Sequence, residues 1–319
     1  MAVVVGIDEA GFGPLLGPLV VSSTMFQVGD DAHACLWDGL SAVVVREPKR
    51  GDARLAIADS KALFAGRKSL APLERGVLIM LRAAGERVQR FSELLSRVAP
   101  ECLGELREYP WYDGADFDLP LDADTGDIGT RGAPVRREID RAGIRVLALR
   151  SRVFVEGAYN RLVGATRNKS RVLLSGVLSL VDQALRGTDD PHVRVVVDRL
   201  GGREFYRQPL MTAFPDWDMQ VMIEDTDRSG YRLRRDGRIL DVEFAVEGER
   251  RALPTALASM LSKYVRELFM HAFNAYWSSL VPDLKPTAGY YTDAQRFLRD
   301  VDRMLTRLNI DRRRLVRER

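Results

Sequence analysis

The sequence predicts an α/β fold: a mixed central sheet flanked by helices, with a helical appendage at its C-terminal end. Two apolar runs carry that prediction, 3-VVVGI-7 and 193-VRVVV-197, each reading as a buried strand and each closed by an acid, Asp8 and Asp198. The third observation is helical periodicity, clearest over 254–277, where Leu257, Met260, Leu261, Tyr264, Val265, Leu268 and Ala272 form one apolar stripe. In sheets of this class, ligands gather beyond strand ends and at topological switch points.

Taken in order, the first strand is broken by Gly11, Gly13, Pro14, Gly17 and Pro18, which predict a tight loop. The strand pattern resumes at 19–26, an antiparallel neighbour of the first. A third strand is expected near 42–45 or 54–57, with 49-KRGDAR-54 between them as a loop, and 69–98 reads as helical. Residues 101–134, rich in Asp, Gly and Pro, read as an irregular insertion or loop. Helical periodicity returns at 153–185. A strand is expected at 219–224, and strands around 231-YRL-233 and 239–246 flank 235-RDGR-238, whose Asp-Gly signals a hairpin. Pro254 suits the first turn of the long helix. Residues 293–308 read as a final amphipathic helix, so the expected division is a catalytic domain over 1–277 and a helical extension over 278–319.

The 319 residues, 46% hydrophobic, suffice for a sizeable core, and no apolar run reaches the ~20 residues of a membrane span. The opening runs straight into a strand pattern, without the features of a signal peptide, so a soluble cytoplasmic protein is expected. Two cysteines, Cys35 and Cys102, and three scattered histidines, His33, His192 and His271, offer neither a disulfide framework nor a zinc site. Any metal must therefore be held by carboxylates. The net charge of +3 does not by itself mark a nucleic-acid binder. Its distribution says more: 108–127 carries seven acids and no base, whereas 296–319 carries nine arginines against four acids, which suits a phosphate-contacting surface.

Adjacent side chains on a regular strand point to opposite faces, so Asp8 and Glu9 can share a site only where the chain bends, a freedom Gly11 and Gly13 supply. Glu267 lies beside the apolar stripe of the long helix, where helix meets sheet. Asp8, Glu9, Asp198 and Glu267 together could hold hard divalent cations through oxygen, and two such ions suit phosphodiester cleavage.

Four stretches resemble the type 2 ribonuclease H family (ribonucleases HII and HIII), in the family's order and across nearly the whole chain. They are 6-GIDEAGFGPLLGPLVVS-22, 59-DSK-61, 255-TALASMLSKYVREL-268 and 289-GYYT-292. The resemblance implies a ribonuclease H-like fold and a monomeric, Mg²⁺- or Mn²⁺-dependent endoribonuclease with a two-metal site. Its substrate would be an RNA–DNA hybrid or a ribonucleotide embedded in duplex DNA, and its products would carry 3′-hydroxyl and 5′-phosphate ends. It implies Asp8, Glu9, Asp198 and Glu267 as catalytic, metal-binding acids. It also implies substrate contacts from Gly11, Phe12, Gly13, Lys61, Lys263 and Tyr290. Two departures stand out: the family's basic residue in the Gly-x-Gly turn is Phe12 here, and Tyr291 replaces a proline. The backbone donors of the turn survive and can still read a ribose 2′-hydroxyl. The altered turn also leaves open a metal nuclease of the same fold with another nucleic-acid substrate, or a non-catalytic binding homologue.

Overall fold

In the computed structural model, which describes residues 1–31, 35–49, 51–64, 69–201 and 203–318, the first apolar run lies mid-sheet as β1 (Ala2–Ala10). It pairs antiparallel with β2 (Leu19–Val28). Two short strands, β3 (Val44–Val45) and β4 (Leu55–Ala56), form a separate parallel pair. The remaining strands are β5 (Arg145–Phe154), β6 (His192–Asp198), β7 (Asp218–Glu224), β8 (Arg228–Arg235) and β9 (Arg238–Ala245). The large sheet runs β5-β2-β1-β6-β9-β8-β7, with β1, β6 and β9 parallel and the outer pairs antiparallel. It is the mixed sheet expected. The β8–β9 hairpin turns on Asp236 and Gly237, both at positive φ (49° and 77°), the geometry an Asp-Gly turn favours.

The period-2 alternation of β1 feeds two cores. Val3, Val5 and Ile7 face α7 (Glu156–Thr166), α8 (Lys169–Arg186) and α9 (Arg207–Ala213). Ala2 and Val4 face the layer made by α3 (Ala71–Ala83), α4 (Phe91–Val98), α6 (Thr125–Arg141), α11 (Leu253–Leu280) and α12 (Tyr291–Arg307). Short helices α1 (Leu36–Gly39), α2 (Ser60–Phe64), α5 (Leu103–Leu106) and α10 (Gly248–Arg251) occupy the connections. Trp277, Phe297 and Leu305 share one core with α3 and α4, so α12 closes that layer.

The long helix α11 positions the site because it lies directly on the sheet backbone. A Cβ at Gly6 would sit 2.0 Å from the Pro254 carbonyl carbon, so only glycine allows this approach. Thr24 donates to the Pro254 carbonyl (2.7 Å), Thr255 to that of Val196 (3.0 Å) and Ser262 to that of Asp8 (2.9 Å). Three hydroxyls thus fix the helix against β2, β6 and β1.

Three expectations are corrected and a fourth is met in part of the fold apart from the main sheet. The 69–98 helix is two helices, parted after α3 by Gly85 at φ 84°. The 153–185 helical segment begins as the end of edge strand β5 and is then two helices. The 101–134 stretch is ordered packing: it contains α5 and most of the first turns of α6, and buries Tyr109, Trp111, Tyr112 and Ile128. The third-strand expectation is met at both proposed places, but outside the main sheet.

Glu74 explains how the acidic segment is tied down. Its buried carboxylate accepts the backbone N–H groups of Leu121 (2.6 Å), Asp122 (2.9 Å) and Ala123 (2.7 Å), and the Tyr264 hydroxyl (3.2 Å). His33 falls outside the described residues. His192 bonds Asp241 at 2.8 Å, and the His271 ring lies tilted against Phe117, so neither faces the acids described below. No helix among the described residues is long and apolar enough to cross a membrane.

Candidate functional site

Parallel strands β1 and β6 lie side by side, with β6 ending at Asp198 and β1 running on past Asp8 to Ala10. Ile7 pairs with Val197, so the next residues along, Asp8 and Asp198, stand adjacent. Asp8 is 7% exposed, with its Oδ1 accepting the Glu9 N–H at 2.7 Å. Burial raises its carboxyl well above the ordinary range, and the charges of Glu9 and Asp198 add to that, against the Ser259 hydroxyl bond. Glu9 is pushed up to about 7 by burial and by Asp198, and Lys61 pulls against it. Its Oε2 is buried with no hydrogen-bond partner.

Asp198 is raised by burial, although the Gly248 N–H (2.9 Å), Glu249 and Lys61 all favour its charged form. The close approach needs Gly248, where a Cβ would lie 3.1 Å from the Asp198 Cα. Glu249, next along α10, is pushed up to about 7 by burial and then by Asp198, to which it is hydrogen-bonded. Lys61 completes the group. Burial works against its charge, but Asp59, Asp8, Asp198 and Glu249 outweigh that and raise it. Its helix α2 is held in place by the Ser60–Ser259 hydroxyl pair at 3.0 Å.

Three expected residues, Asp8, Glu9 and Asp198, therefore act on one another here, with Lys61 facing them. Glu249 joins them and was not expected. Glu267 is placed otherwise: on α11 it bonds Lys263 at 2.6 Å and Arg266 at 3.3 Å. Lys263 also lies 4.7 Å from the Phe64 ring.

The turn after Glu9 is built around buried Arg266. Gly11, at φ 89°, leaves room for it, since a Cβ there would meet Arg266 Cδ and Nε at 2.7 Å. Arg266 donates to the carbonyls of Leu16 (3.3 Å) and Ala288 (3.0 Å). The Gly289 carbonyl accepts the Leu15 N–H at 2.8 Å, and Arg317 donates to the carbonyls of Leu15 (2.9 Å) and Phe12 (3.0 Å). Gly13 points into open space, and Tyr290 is 55% exposed, its ring 5.9 Å from the Arg266 guanidinium. A rigid turn and an exposed tyrosine thus lie on the same side of the molecule, held by one arginine.

Four buried or half-buried carboxyl groups with raised proton affinity, one with an orphaned oxygen, make an all-oxygen donor set whose chemistry fits a hard divalent cation. Their present spacing is looser: among the described residues no three His, Cys, Asp or Glu side chains are grouped as a ready metal site.

No family model matches the chain, and no curated protein matches it. Among solved structures it is similar to the RNase HII of Archaeoglobus fulgidus, solved with PCNA: 14% identity, 99% of this chain, 94% of that one, TM-score 0.43. It is similar to Bst-RNase HIII solved with Mn²⁺, at 13% identity over 99% of this chain and 66% of that one, TM-score 0.44. It is also similar to the ribonuclease H2 of Pyrococcus horikoshii, at 10% identity over 98% and 92%, TM-score 0.44. At these values the chemistry rests on the residues themselves.

Proposed function

We propose that the chain is a monomeric, cytoplasmic, divalent-metal-dependent endonuclease that cuts RNA in RNA–DNA hybrids or at ribonucleotides embedded in duplex DNA. The observation that carries this reading is the meeting of Asp8, Glu9 and Asp198 at the adjacent ends of β1 and β6, beside Lys61. Burying several carboxylates together is costly unless a cation neutralises them, so such a cluster points to chemistry at a polyanion.

Asp8, Glu9 and Asp198 would hold Mg²⁺ or Mn²⁺, with a fourth acid from Glu249 or from the expected Glu267. A two-ion centre, when bound, supplies an activated water and neutralises the leaving oxygen of a phosphodiester. The chain's own groups orient the substrate. Lys61 neutralises a phosphate oxygen, the Gly11–Gly13 backbone presents donors to a ribose 2′-hydroxyl, and Tyr290 offers an exposed ring to a sugar. Lys263 holds Glu267 in place through their 2.6 Å ion pair. Hydrolysis in this arrangement leaves 3′-hydroxyl and 5′-phosphate ends.

Phe12 favours a second reading, a nuclease of the same fold acting on a different structured nucleic acid. Clustered carboxylates beside phosphates weigh against a pure binding module, which gains nothing from them. Cleavage of a hybrid, a duplex with one ribonucleotide and a plain DNA duplex, each with Mg²⁺, Mn²⁺ or EDTA, separates these readings. The expected result is metal-dependent cutting of the first two, lost in Asp8→Asn while hybrid binding persists. Undiminished activity of Asp8→Asn would sink the assignment.

A further inference from the structure

Next to the Phe12 turn, the first turn of α8 carries cations that no acid among the described residues neutralises. Lys169, the first residue of α8, sits with its Nζ 5.0 Å from the centre of the Phe12 ring. Asn168 caps the same helix end through the Ser170 N–H at 2.9 Å, which fixes where Lys169 emerges. Arg171 follows on the helix and lines one surface cleft together with Arg203. Arg203, 6.0 Å from the Tyr206 ring, in turn lines the adjoining cleft with Asp198. Lys169 thus marks the Phe12 end of this surface, and Arg203 joins the cleft beside Arg171 to the cleft beside Asp198.

Among the described residues, no carboxylate lies within ion-pair distance of Lys169, Arg171 or Arg203. Acids in the surrounding segments are engaged elsewhere: Glu108 with Arg161 (3.9 Å) and Arg314 (3.6 Å), Glu204 with Arg199 (3.3 Å). Unneutralised cations on a surface that reaches a carboxylate cluster suit a chain of phosphates, because the phosphates bring the missing charge and the cluster is where one of them is cut. Aromatic support holds two of the three cations without taking their charge.

We infer that Lys169, Arg171 and Arg203 form a phosphate track for one strand of a nucleic acid, with Phe12 as the platform that places Lys169. This rests on the nuclease reading and says where the strand runs. The turn's aromatic residue has a role of its own here, as the support for a lysine contributed by α8.

The test is the salt dependence of binding to a short RNA–DNA hybrid in EDTA, where nothing is cut. Each lost phosphate contact should lower the slope of log K against log salt by about 0.9. Lys169→Gln, Arg171→Gln and Arg203→Gln should each do so, and the triple variant should lower it by nearly 3, with weaker binding at low salt throughout. Phe12→Leu should weaken binding about two- to fivefold, the size of a cation–π contact. Slopes equal to wild type in all three single variants would overturn the track while leaving the nuclease reading intact, since that reading is scored separately by metal-dependent cleavage. Absence of salt-dependent hybrid binding by the wild-type chain would sink both.

Discussion

Glu156 is a buried acid that couples pH to the turn beside the carboxylate cluster. Its Oε1 accepts the Gly17 N–H at 3.1 Å and the Tyr112 hydroxyl at 3.0 Å, while its Oε2 is buried without a partner. Burial pushes its carboxyl up from 4.5 to about 7, and its own backbone N–H, Tyr112, Arg317 and Gly17 only partly oppose that. Because the folded value lies above the unfolded one, its contribution to stability is fully present below pH 4.5 and declines up to about pH 7. Above that it stays level. At about 1.4 kcal/mol per pH unit, that interval is worth roughly 3 kcal/mol. Glu156→Gln keeps one acceptor oxygen and cannot ionise, so its stability should lack this component. Urea unfolding of both proteins from pH 4.5 to 8 gives the difference curve, in which the titrations of Asp8, Glu9 and Glu249 cancel. The variant should gain roughly 3 kcal/mol on wild type across that range. A flat difference curve, or one with the opposite slope, would refute the reasoning that burial dominates at Glu156.

The fourth acid of the cluster can be decided by comparing two variants. Glu249→Gln should lower kcat at least tenfold and Glu267→Gln less, because Glu249 faces Asp198 while Glu267 is ion-paired on its own helix; the reverse order would return the role to Glu267. Glu74→Ala leaves one buried and two half-buried N–H groups without an acceptor and should cost on the order of 3 kcal/mol, read by urea unfolding. A loss below about 1 kcal/mol would mean that solvent reaches this segment. Gly6→Ala drives a methyl into the Pro254 backbone, so α11 must shift. The expected loss is several kcal/mol, seen as a lowered Tm or failure to fold, and a variant as stable as wild type would contradict the close crossing.

Much of the site was legible because its signals are local. Asp8 and Asp198 each close an apolar strand run, and the stripe of α11 is regular enough to identify the helix that covers them. Lys61 follows from the 59-DSK-61 motif. What escaped was where local pattern and tertiary role part company. Edge strand β5 mixes arginines (Arg145, Arg150, Arg152) with an apolar run, with no period-2 pattern, which masks a strand whose outer edge is solvated. Helix α6 carries Pro134 and several glycines, yet Ile128, Val135 and Ile139 bury one face and override weak propensity. Glu249 lies in 247-EGERR-251, a charge run that reads as solvated surface. Only Gly248 against Asp198 reveals that it turns inward. Lys263 and Glu267 stand at the spacing of an intrahelical ion pair, and that is the pair they form.

By itself, the sequence determined the apolar runs of β1, β2 and β6, the acids Asp8 and Asp198 and the long helix that lies across them, because each of these is written in a window of a few turns. The tertiary structure alone decided which carboxylates oppose one another, that Arg266 and Arg317 brace the turn, and that Lys169 sits against Phe12 while Arg203 lines a cleft with Asp198. Those outcomes depend on residues far apart in the chain meeting at low dielectric, where burial and neighbouring charge set the energies and no local pattern records them.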